Sequence, residues 1–171
     1  ISRADLGDVI GDFTRIYAST LNYTITLELK RGWNFVSIPL NPIEGNLSKI
    51  FGDITGYEVY LWNSDTRSYE VATILRPLRG YWIFVPENVT LVLRGFPLTY
   101  TLSYLSRGWN AIGSIYDETK LNVIEGQAYE FIIAWDPIMQ HYIYANIIKP
   151  GQAGWIYVRG PYAYIELTPT K

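Results

Sequence analysis

Leu29-Lys30-Arg31-Gly32-Trp33-Asn34-Phe35-Val36 is followed 76 positions later by Leu105-Ser106-Arg107-Gly108-Trp109-Asn110-Ala111-Ile112. Another matching pair of stretches, Trp82-Ile83-Phe84-Val85 and Trp155-Ile156-Tyr157-Val158, lies 73 positions apart. At these offsets the six tryptophans form three pairs: Trp33 with Trp109, Trp62 with Trp135, and Trp82 with Trp155. Self-similarity of this kind determines the architecture of a chain. We therefore predict two tandem copies, residues 21–97 and residues 98–171, after a lead-in or docking segment at residues 1–20.

Alternating apolar and polar side chains predict strands that bury one face. Residues 21–29 alternate in this way, and residues 100–104 repeat the pattern at the start of the second copy. Gly32 and Gly108 allow a tight turn or bulge before the apolar run that follows each strand. Strand, turn and strand are therefore the expected opening of each copy.

A hairpin and two further strands follow in each copy. Polar turns at residues 63–67 and 136–140 separate the hairpin strands. Roughly six short strands in every ~70 residues predict an all-β fold, with the pseudo-repeats packed as fused barrels or sandwiches. Because no flexible linker separates the copies near residues 98–101, we expect them to pack tightly.

Short helices are expected at three places. Residues 5–17 carry apolar side chains at helical spacing, which predicts a short N-terminal helix outside the repeat. Asn46 is positioned to cap a second helix over residues 47–54. We expect a shortened counterpart around residues 121–124, since the second copy lacks three residues there, close to one helical turn.

Composition limits the classes of function. The chain has 171 residues, 49% hydrophobic and 18% charged, which is typical of a globular protein. A net charge of −2 without a basic cluster argues against nucleic acid as a partner. No apolar run reaches the ~18 residues of a membrane-spanning helix. Cysteine is absent, which excludes disulfides and thiolate chemistry. Because the first residue is Ile1, we expect a processed or excised chain.

Catalytic and metal-binding patterns are weak. His141 is the single histidine, and we expect it to be a solvated loop residue in the second hairpin. A metal site would need carboxylates alone, for which Asp53 and the pair Asp117-Glu118 are loose candidates. We therefore assign no catalytic residue, no metal site and no cofactor.

A hydrolase with two carboxylates is a further alternative. Glu58 and Glu130 recur at equivalent positions, and a glycosidase requires such a pair. The recurrence favours a role on the strand surface instead, in ion pairs with Arg31 and Arg107, which also recur.

The aromatic residues support two readings, because Trp and Tyr rings either fill cores or bind sugars by stacking. We predict that the six tryptophans are structural and fill two equivalent cores. Candidates for a ligand site or an interface are aromatic residues without a matching copy or near hairpin tips: Tyr116, Tyr144, Tyr162 and Tyr164. Tyr162 and Tyr164 would share one face of a strand. The Asn-X-Ser/Thr sequons that could carry glycans are Asn22, Asn46 and Asn88.

The order of these motifs resembles a repeat of large extracellular proteins. Gly32-Trp33-Asn34, Val36-Ser37-Ile38-Pro39-Leu40 and Gly80-Tyr81-Trp82-Ile83-Phe84-Val85 carry the likeness, which covers residues 21–168. Similar modules occur in archaeal and thermophilic bacterial cell-surface proteins associated with S-layers, often beside secreted hydrolases. The second copy departs from the pattern at residues 111–115 and 153–155. The resemblance implies an extracellular location and brings no catalytic set.

We therefore expect a non-enzymatic, extracellular structural or adhesive module of an S-layer-type or filament assembly. Its partners would be neighbouring subunits or other domains of a surface protein. The alternative is a carbohydrate-binding module appended to a secreted hydrolase, with polysaccharide as its partner. A small hydrolase is the third reading. Sparse Gln, Met and Cys point to a thermophilic source.

Overall fold

The computed structural model describes residues 23–171, so the predicted N-terminal helix, the segment 1–20 and Asn22 lie outside it. The described chain confirms the prediction of an all-β fold, because antiparallel strands make up most of it. Its elements are β1 (Tyr23–Leu29), β2 (Gly32–Val36), β3 (Leu40–Pro42), α1 (Leu47–Phe51), β4 (Glu58–Asn63), β5 (Ser68–Val71), β6 (Tyr81–Val85), β7 (Val89–Pro97), β8 (Thr101–Ile112), β9 (Thr119–Ala128), β10 (Ile132–Asp136), β11 (His141–Ala145) and β12 (Gly154–Pro169).

The strands of the described region form three sheets. The first has the order β1-β7-β3 and the second the order β2-β6-β4-β5. The third has the order β11-β10-β12-β8, with β9 also paired to β12. The predicted hairpins are β4–β5 and β10–β11. In β1 the alternation works as expected, since Leu27 and Leu29 are buried and pair with β7.

In each Arg-Gly-Trp-Asn stretch, the buried asparagine side chain forms hydrogen bonds with the backbone of the residue four positions earlier. Asn34 Oδ1 accepts a hydrogen bond from Lys30 N–H (2.9 Å), and Asn34 Nδ2 donates to Lys30 O (2.8 Å). Asn110 makes the same two bonds with Ser106, at 3.2 Å and 2.8 Å. The glycine two positions before each asparagine has a positive φ, which favours glycine there. The motif is thus a local device that bends the chain before the next strand segment.

The helix predicted around residues 121–124 is wrong, because these residues belong to β9. Leu121 pairs with Leu167, and Val123 pairs with Ile165, along the edge of β12. In contrast, α1 begins where predicted, and Asn46 Oδ1 accepts from Ser48 N–H (3.0 Å) at its start, although the helix ends at Phe51 and not at residue 54. A helix of one turn is marginally stable by itself. At residues 121–124 the backbone instead forms hydrogen bonds with the long edge of β12, and this pairing replaces the helix.

Three hydrophobic clusters hold the described residues together. One lies between α1 and the strands of the first two sheets, and another lies on the third sheet. The third cluster joins the two parts of the chain, with Phe35 and Trp82 packed on Ala153 and Trp155. Polar contacts cross the same boundary, since Ser37 N–H donates to Gly151 O (2.9 Å). Within the described residues, no helix has the length and apolar character needed to cross a membrane.

Candidate functional site

Two hairpins stand over the third hydrophobic cluster, and their turns are set by side chains. In the first turn, Asn63 Oδ1 accepts from the N–H groups of Asp65 and Thr66, at 3.0 Å and 3.1 Å. In the second turn, Asp136 Oδ1 accepts in the same way from two N–H groups, at 2.9 Å and 3.1 Å. Asn and Asp commonly shape turns by such bonds. The two hairpins therefore present their aromatic residues in a defined direction.

Each hairpin carries a Trp–Tyr pair across its two strands. Trp62 lies opposite Tyr69, with ring centroids 5.0 Å apart and an angle of 67° between the rings. Trp135 lies opposite Tyr142, at 5.1 Å and 78°. Directly opposite cross-strand residues are the closest neighbours on a sheet face. Each hairpin thus presents an edge-to-face Trp–Tyr pair.

The hairpins are fastened by a reciprocal pair of hydrogen bonds. Trp62 Nε1 donates to Trp109 O (2.9 Å), and Trp135 Nε1 donates to Trp33 O (2.9 Å). Each hairpin therefore docks on the Gly-Trp-Asn strand of the other part of the chain. Gln140 strengthens the second contact, because its amide accepts from Trp33 N–H (3.0 Å) and donates to Trp33 O (2.8 Å).

The floor between the hairpins consists of Trp82 and Trp155, with Phe35 stacked on both. The ring centroids of Phe35 lie 4.6 Å from Trp82 and 5.2 Å from Trp155, each at 21°. Both tryptophans are buried, yet neither indole Nε1 has a hydrogen-bond partner among the described residues. Burial raises the pKa of the Tyr69 hydroxyl, while the nearby Trp82 N–H acts in the opposite direction.

These residues enclose an open cleft with two lobes, which we call the aromatic cleft. One lobe has a volume of about 430 Å³, and the other about 460 Å³. Both lobes share Tyr69 and Tyr142. The first lobe is further lined by Trp62, Trp109, Ile133, Ile143, Tyr144 and Trp155. The second lobe is further lined by Trp33, Tyr60, Trp82 and Trp135.

The cleft exposes large apolar side chains to solvent. Tyr69 and Tyr142 are each about half exposed, Trp109 is 41% exposed and Tyr144 is 83% exposed. None of the described residues that line either lobe carries a carboxylate, a Lys or Arg side chain or a histidine. Contiguous apolar surface of this kind marks an interaction site rather than an ordinary part of a protein surface.

The sequence candidates for a ligand site are spread over three places. Tyr144 lies in the aromatic cleft. Tyr116 lies elsewhere, where its hydroxyl donates to Thr24 O (2.6 Å) and its ring meets Tyr23 edge to face.

Tyr162 and Tyr164 form a separate cluster with Tyr104 on the third sheet. The Tyr162 hydroxyl donates to Glu125 Oε1 (2.6 Å), and this hydrogen bond raises the pKa of Tyr162. The two tyrosines share a strand face, at a centroid distance of 5.7 Å. This cluster is well suited as a control surface, because it is aromatic but lies outside the cleft lining.

The tryptophans do not fill two equivalent cores. Trp82 and Trp155 are buried, and they belong to the one cluster that joins the two parts of the chain. Trp33, Trp62 and Trp135 pack against that cluster and are partly buried. Trp109 is 41% exposed, so its assignment to the core is corrected to the rim of the cleft. Tryptophans that recur in the sequence thus occupy both the buried floor and the exposed rim of the cleft.

Sequence reasoning missed Tyr69 and Tyr142, which recur 73 positions apart. A usable signal was present, since each tyrosine follows a polar turn and lies opposite a tryptophan. A half-exposed tyrosine that lies opposite a tryptophan in both hairpins is better explained by one surface to which both hairpins contribute.

The remaining candidates lie outside the cleft lining. His141 is exposed, and its Nδ1 lies 3.1 Å from Tyr142 O. Glu58 accepts from the Tyr60 hydroxyl (3.2 Å). Among residues 23–171, no three His, Asp or Glu side chains gather as a metal site would require. Asn46 and Asn88 are both exposed, and the Oδ1 of Asn88 accepts from Arg31 N–H (2.9 Å).

Comparisons with known proteins give no relative from which a function could be carried over. The chain matches no protein-family model, no curated protein and no solved structure.

Proposed function

We propose that this chain is a non-enzymatic, extracellular adhesive module that holds a partner of a cell-surface assembly in its aromatic cleft. One observation carries the proposal: two lobes lined by partly exposed aromatic rings open side by side between rigid hairpins. The lining residues offer contact surface and hydrogen-bond donors. Apart from tyrosine hydroxyls, they do not include a carboxylate, His, Lys, Ser, Thr or Cys that a hydrolytic site could use as acid, base or nucleophile.

The proposal includes an architecture of two pseudo-repeats, residues 21–97 and 98–171, packed face to face as sandwich-like halves. The reciprocal bonds from Trp62 to Trp109 and from Trp135 to Trp33 support it, since they relate matching residues in both directions. In such an arrangement the cleft lies where the halves meet. The resemblance to S-layer-associated modules of archaea and thermophilic bacteria supports an extracellular location.

The exposed rings are sufficient for moderate affinity. If a partner covered about 100 Å² on each of four rings, the gross gain would be about 10 kcal/mol at ~25 cal/mol per Å². Association itself costs about 4–15 kcal/mol, so the net affinity is modest for one module. A surface protein that repeats such modules gains avidity by multivalency.

Sedimentation of the purified chain with envelope fragments tests this function. The variant that replaces Trp109→Ala together with Tyr144→Ala removes two exposed rings that line the first lobe and not the second. We expect it to lose at least tenfold in binding, since buried aromatic anchors dominate interfaces. The matched control replaces Tyr104→Ala together with Tyr164→Ala on the separate tyrosine cluster. Equal binding by both double variants would refute the proposal.

A carbohydrate-binding module is the second candidate, favoured by the exposed faces of Trp109 and Tyr144. In this reading the chain would be appended to a secreted hydrolase and would bind polysaccharide by stacking. Pelleting with an insoluble polysaccharide in the absence of envelope material, lost in the cleft double variant, would replace the adhesive reading with this one.

A further inference from the structure

We propose that the free edge of β11 pairs with the same strand of a second copy of this chain. This inference rests on the proposed adhesive function and names one neighbouring subunit of the assembly. Three properties of the second hairpin carry it: an open backbone edge, a stretch of side chains without charge, and a register that is complementary to itself.

β11 is an edge strand of the third sheet and pairs only with β10 among the described strands. In the first hairpin, Ala72 N–H donates to Val59 O (3.0 Å). Because bonding direction alternates along an antiparallel strand, the backbone groups of Val71 point away from β4. Tyr144 is the equivalent of Val71, 73 positions later in the same hairpin register. Tyr142 and Tyr144 therefore direct their N–H and C=O groups to the open side of β11.

The other sheet edges of the described region are protected. Native proteins protect such edges with charged side chains, with proline, with short strands or with a covering segment. β2 is covered at Trp33 by the second hairpin. The remaining edge strands each contain a charged residue or a proline: Glu28 in β1, Pro42 in β3, Glu70 in β5, Arg107 in β8, and Lys120 and Glu125 in β9. β11 contains neither kind of residue, so its edge is open to another strand.

The second hairpin is apolar along this edge. Residues 137–148 contain no Asp, Glu, Lys or Arg. Tyr142, Ile143 and Tyr144 are all exposed, and Tyr144 is the most exposed of the three. Aromatic and β-branched residues favour strand pairing, and an exposed apolar edge is a template for a further strand. The edge therefore suits an extended, uncharged strand that brings its own backbone donors and acceptors.

A two-fold axis at Ile143 makes β11 complementary to itself. Antiparallel pairing about this axis places Tyr142 opposite Tyr144 of the second copy, and Tyr144 opposite Tyr142. Outward-facing residues that lie opposite each other exchange both of their backbone hydrogen bonds, and the paired tyrosine rings become cross-strand neighbours. His141 Nδ1 lies 3.1 Å from Tyr142 O, and this carbonyl keeps a second lone pair for the incoming N–H. The contact is isologous, the commonest symmetry of soluble dimers.

The first hairpin shows why the absence of charge favours a second copy over a strand of another protein. The equivalent of Ile143 is Glu70, 73 positions earlier. The same axis in the first hairpin would place Glu70 opposite Glu70 of the second copy, and like charges directly opposite each other destabilise a strand pair. A two-fold axis always brings identical side chains together, whereas a foreign strand can supply the opposite charge. The uncharged stretch 137–148 meets the condition for self-pairing.

The test is sedimentation velocity of the purified full chain over a concentration series. We expect a reversible dimer with twice the 19.6 kDa mass of the chain. Tyr144→Pro removes an outward N–H and keeps the bonds to β10, so dimerisation should weaken by about tenfold or more. Val71→Pro, at the equivalent edge position of the first hairpin, is the matched control and should leave dimerisation unchanged. A chain that stays monomeric at every concentration, or equal weakening by both variants, overturns the inference.

A second measurement does not depend on the tolerance of proline. The chain has no cysteine, so Ile143→Cys introduces a single thiol. Opposite residues of a non-hydrogen-bonded antiparallel pair have Cα atoms about 4.5 Å apart, within the range of a disulfide. With oxidised glutathione as the oxidant, we expect Ile143→Cys to form a covalent dimer and Glu70→Cys to stay monomeric. Equal crosslinking of the two variants, or none in either, overturns the assignment to β11.

Envelope binding separates failure of this inference from failure of the adhesive function. If no β11 dimer forms while the cleft double variant loses envelope binding, the adhesive function stands and only the second copy is wrong. If envelope binding is also unaffected, both proposals fail.

Discussion

The two hairpins over the aromatic cleft differ at the residue that completes each turn. Gln140 completes the second turn with a φ of 54° and makes two hydrogen bonds with the backbone of Trp33. Arg67, 73 positions earlier, has the same φ of 54° and is exposed. Trp33 is partly buried, whereas Trp109, under the first hairpin, is 41% exposed.

The glycines under the hairpins show the same difference. A Cβ on Gly32 would lie 2.9 Å from Gln140 Oε1, whereas at Gly108 no described atom lies within 4 Å of that place. One hairpin is therefore clamped tightly to the strand beneath it, and the other leaves its strand open. The two hairpins thus share a backbone conformation at this position and differ in the contacts that its side chain makes with the strand beneath.

The largest effect is expected from removing the tryptophan that docks each hairpin. Trp135→Ala should lower the free energy of unfolding by about 2–4 kcal/mol, since it removes a packed ring and the bond to Trp33 O. Trp62→Ala should cost less, because its ring lies farther from the floor, at 5.8 Å from Trp155 against 4.9 Å between Trp135 and Trp82. Urea unfolding measures both, and a larger loss for Trp62→Ala would contradict the asymmetry.

Alanine substitutions at Gly32 and Gly108 should separate the cost of backbone strain from the contribution of the clamp, the pair of hydrogen bonds by which Gln140 holds the Trp33 backbone. Gly108→Ala should cost about 1–3 kcal/mol, because an alanine is strained at its φ of 94°. Gly32→Ala has a similar strain at φ 100° and in addition displaces Gln140, so we expect a further ~1 kcal/mol. The comparison is made by thermal unfolding of the two variants. Equal losses would show that the clamp contributes nothing.

The clamp itself should have a smaller effect than either glycine substitution. Gln140→Ala should destabilise the chain by about 1–2 kcal/mol, through the loss of two hydrogen bonds with the Trp33 backbone and one to Pro137 O. Arg67→Ala should stay within about 0.5 kcal/mol, as is usual for an exposed position. Acrylamide quenching of tryptophan fluorescence provides a second measurement, since Gln140→Ala should make Trp33 more accessible. No change in quenching would refute the assigned role of Gln140.

The smallest effect concerns pH. Burial raises the pKa of the Tyr69 hydroxyl above its usual value near 10, so the folded state holds this proton more tightly than the unfolded state. The resulting contribution is fully present below about pH 10 and is lost as the pH rises through the higher pKa of the folded state. Tyr69→Phe should therefore lessen the loss of stability above pH 10, measured by urea unfolding across that range. An unchanged pH dependence would count against this role for Tyr69.

Local sequence was a good guide wherever one short segment determines its own conformation. The alternation of residues 23–29, the turn residues of both hairpins and the Asn46 cap all produced the predicted elements. It failed at residues 121–124, where pairing with β12 replaced the expected helix. It also failed to locate the cleft, because Tyr69 and Tyr142 are distant in sequence and become neighbours only when the two hairpins face each other.

The order of residues alone determined an all-β chain and its hairpins, because side-chain period and turn chemistry act over a few neighbouring residues. It also paired the tryptophans at offsets of 76 and 73 positions. Tertiary structure decided which tryptophans form a floor and which form a rim, because burial depends on what packs from the other part of the chain. Trp33 and Trp109 illustrate this most directly. Their neighbours in sequence are nearly the same, and the hairpin above each one sets its exposure.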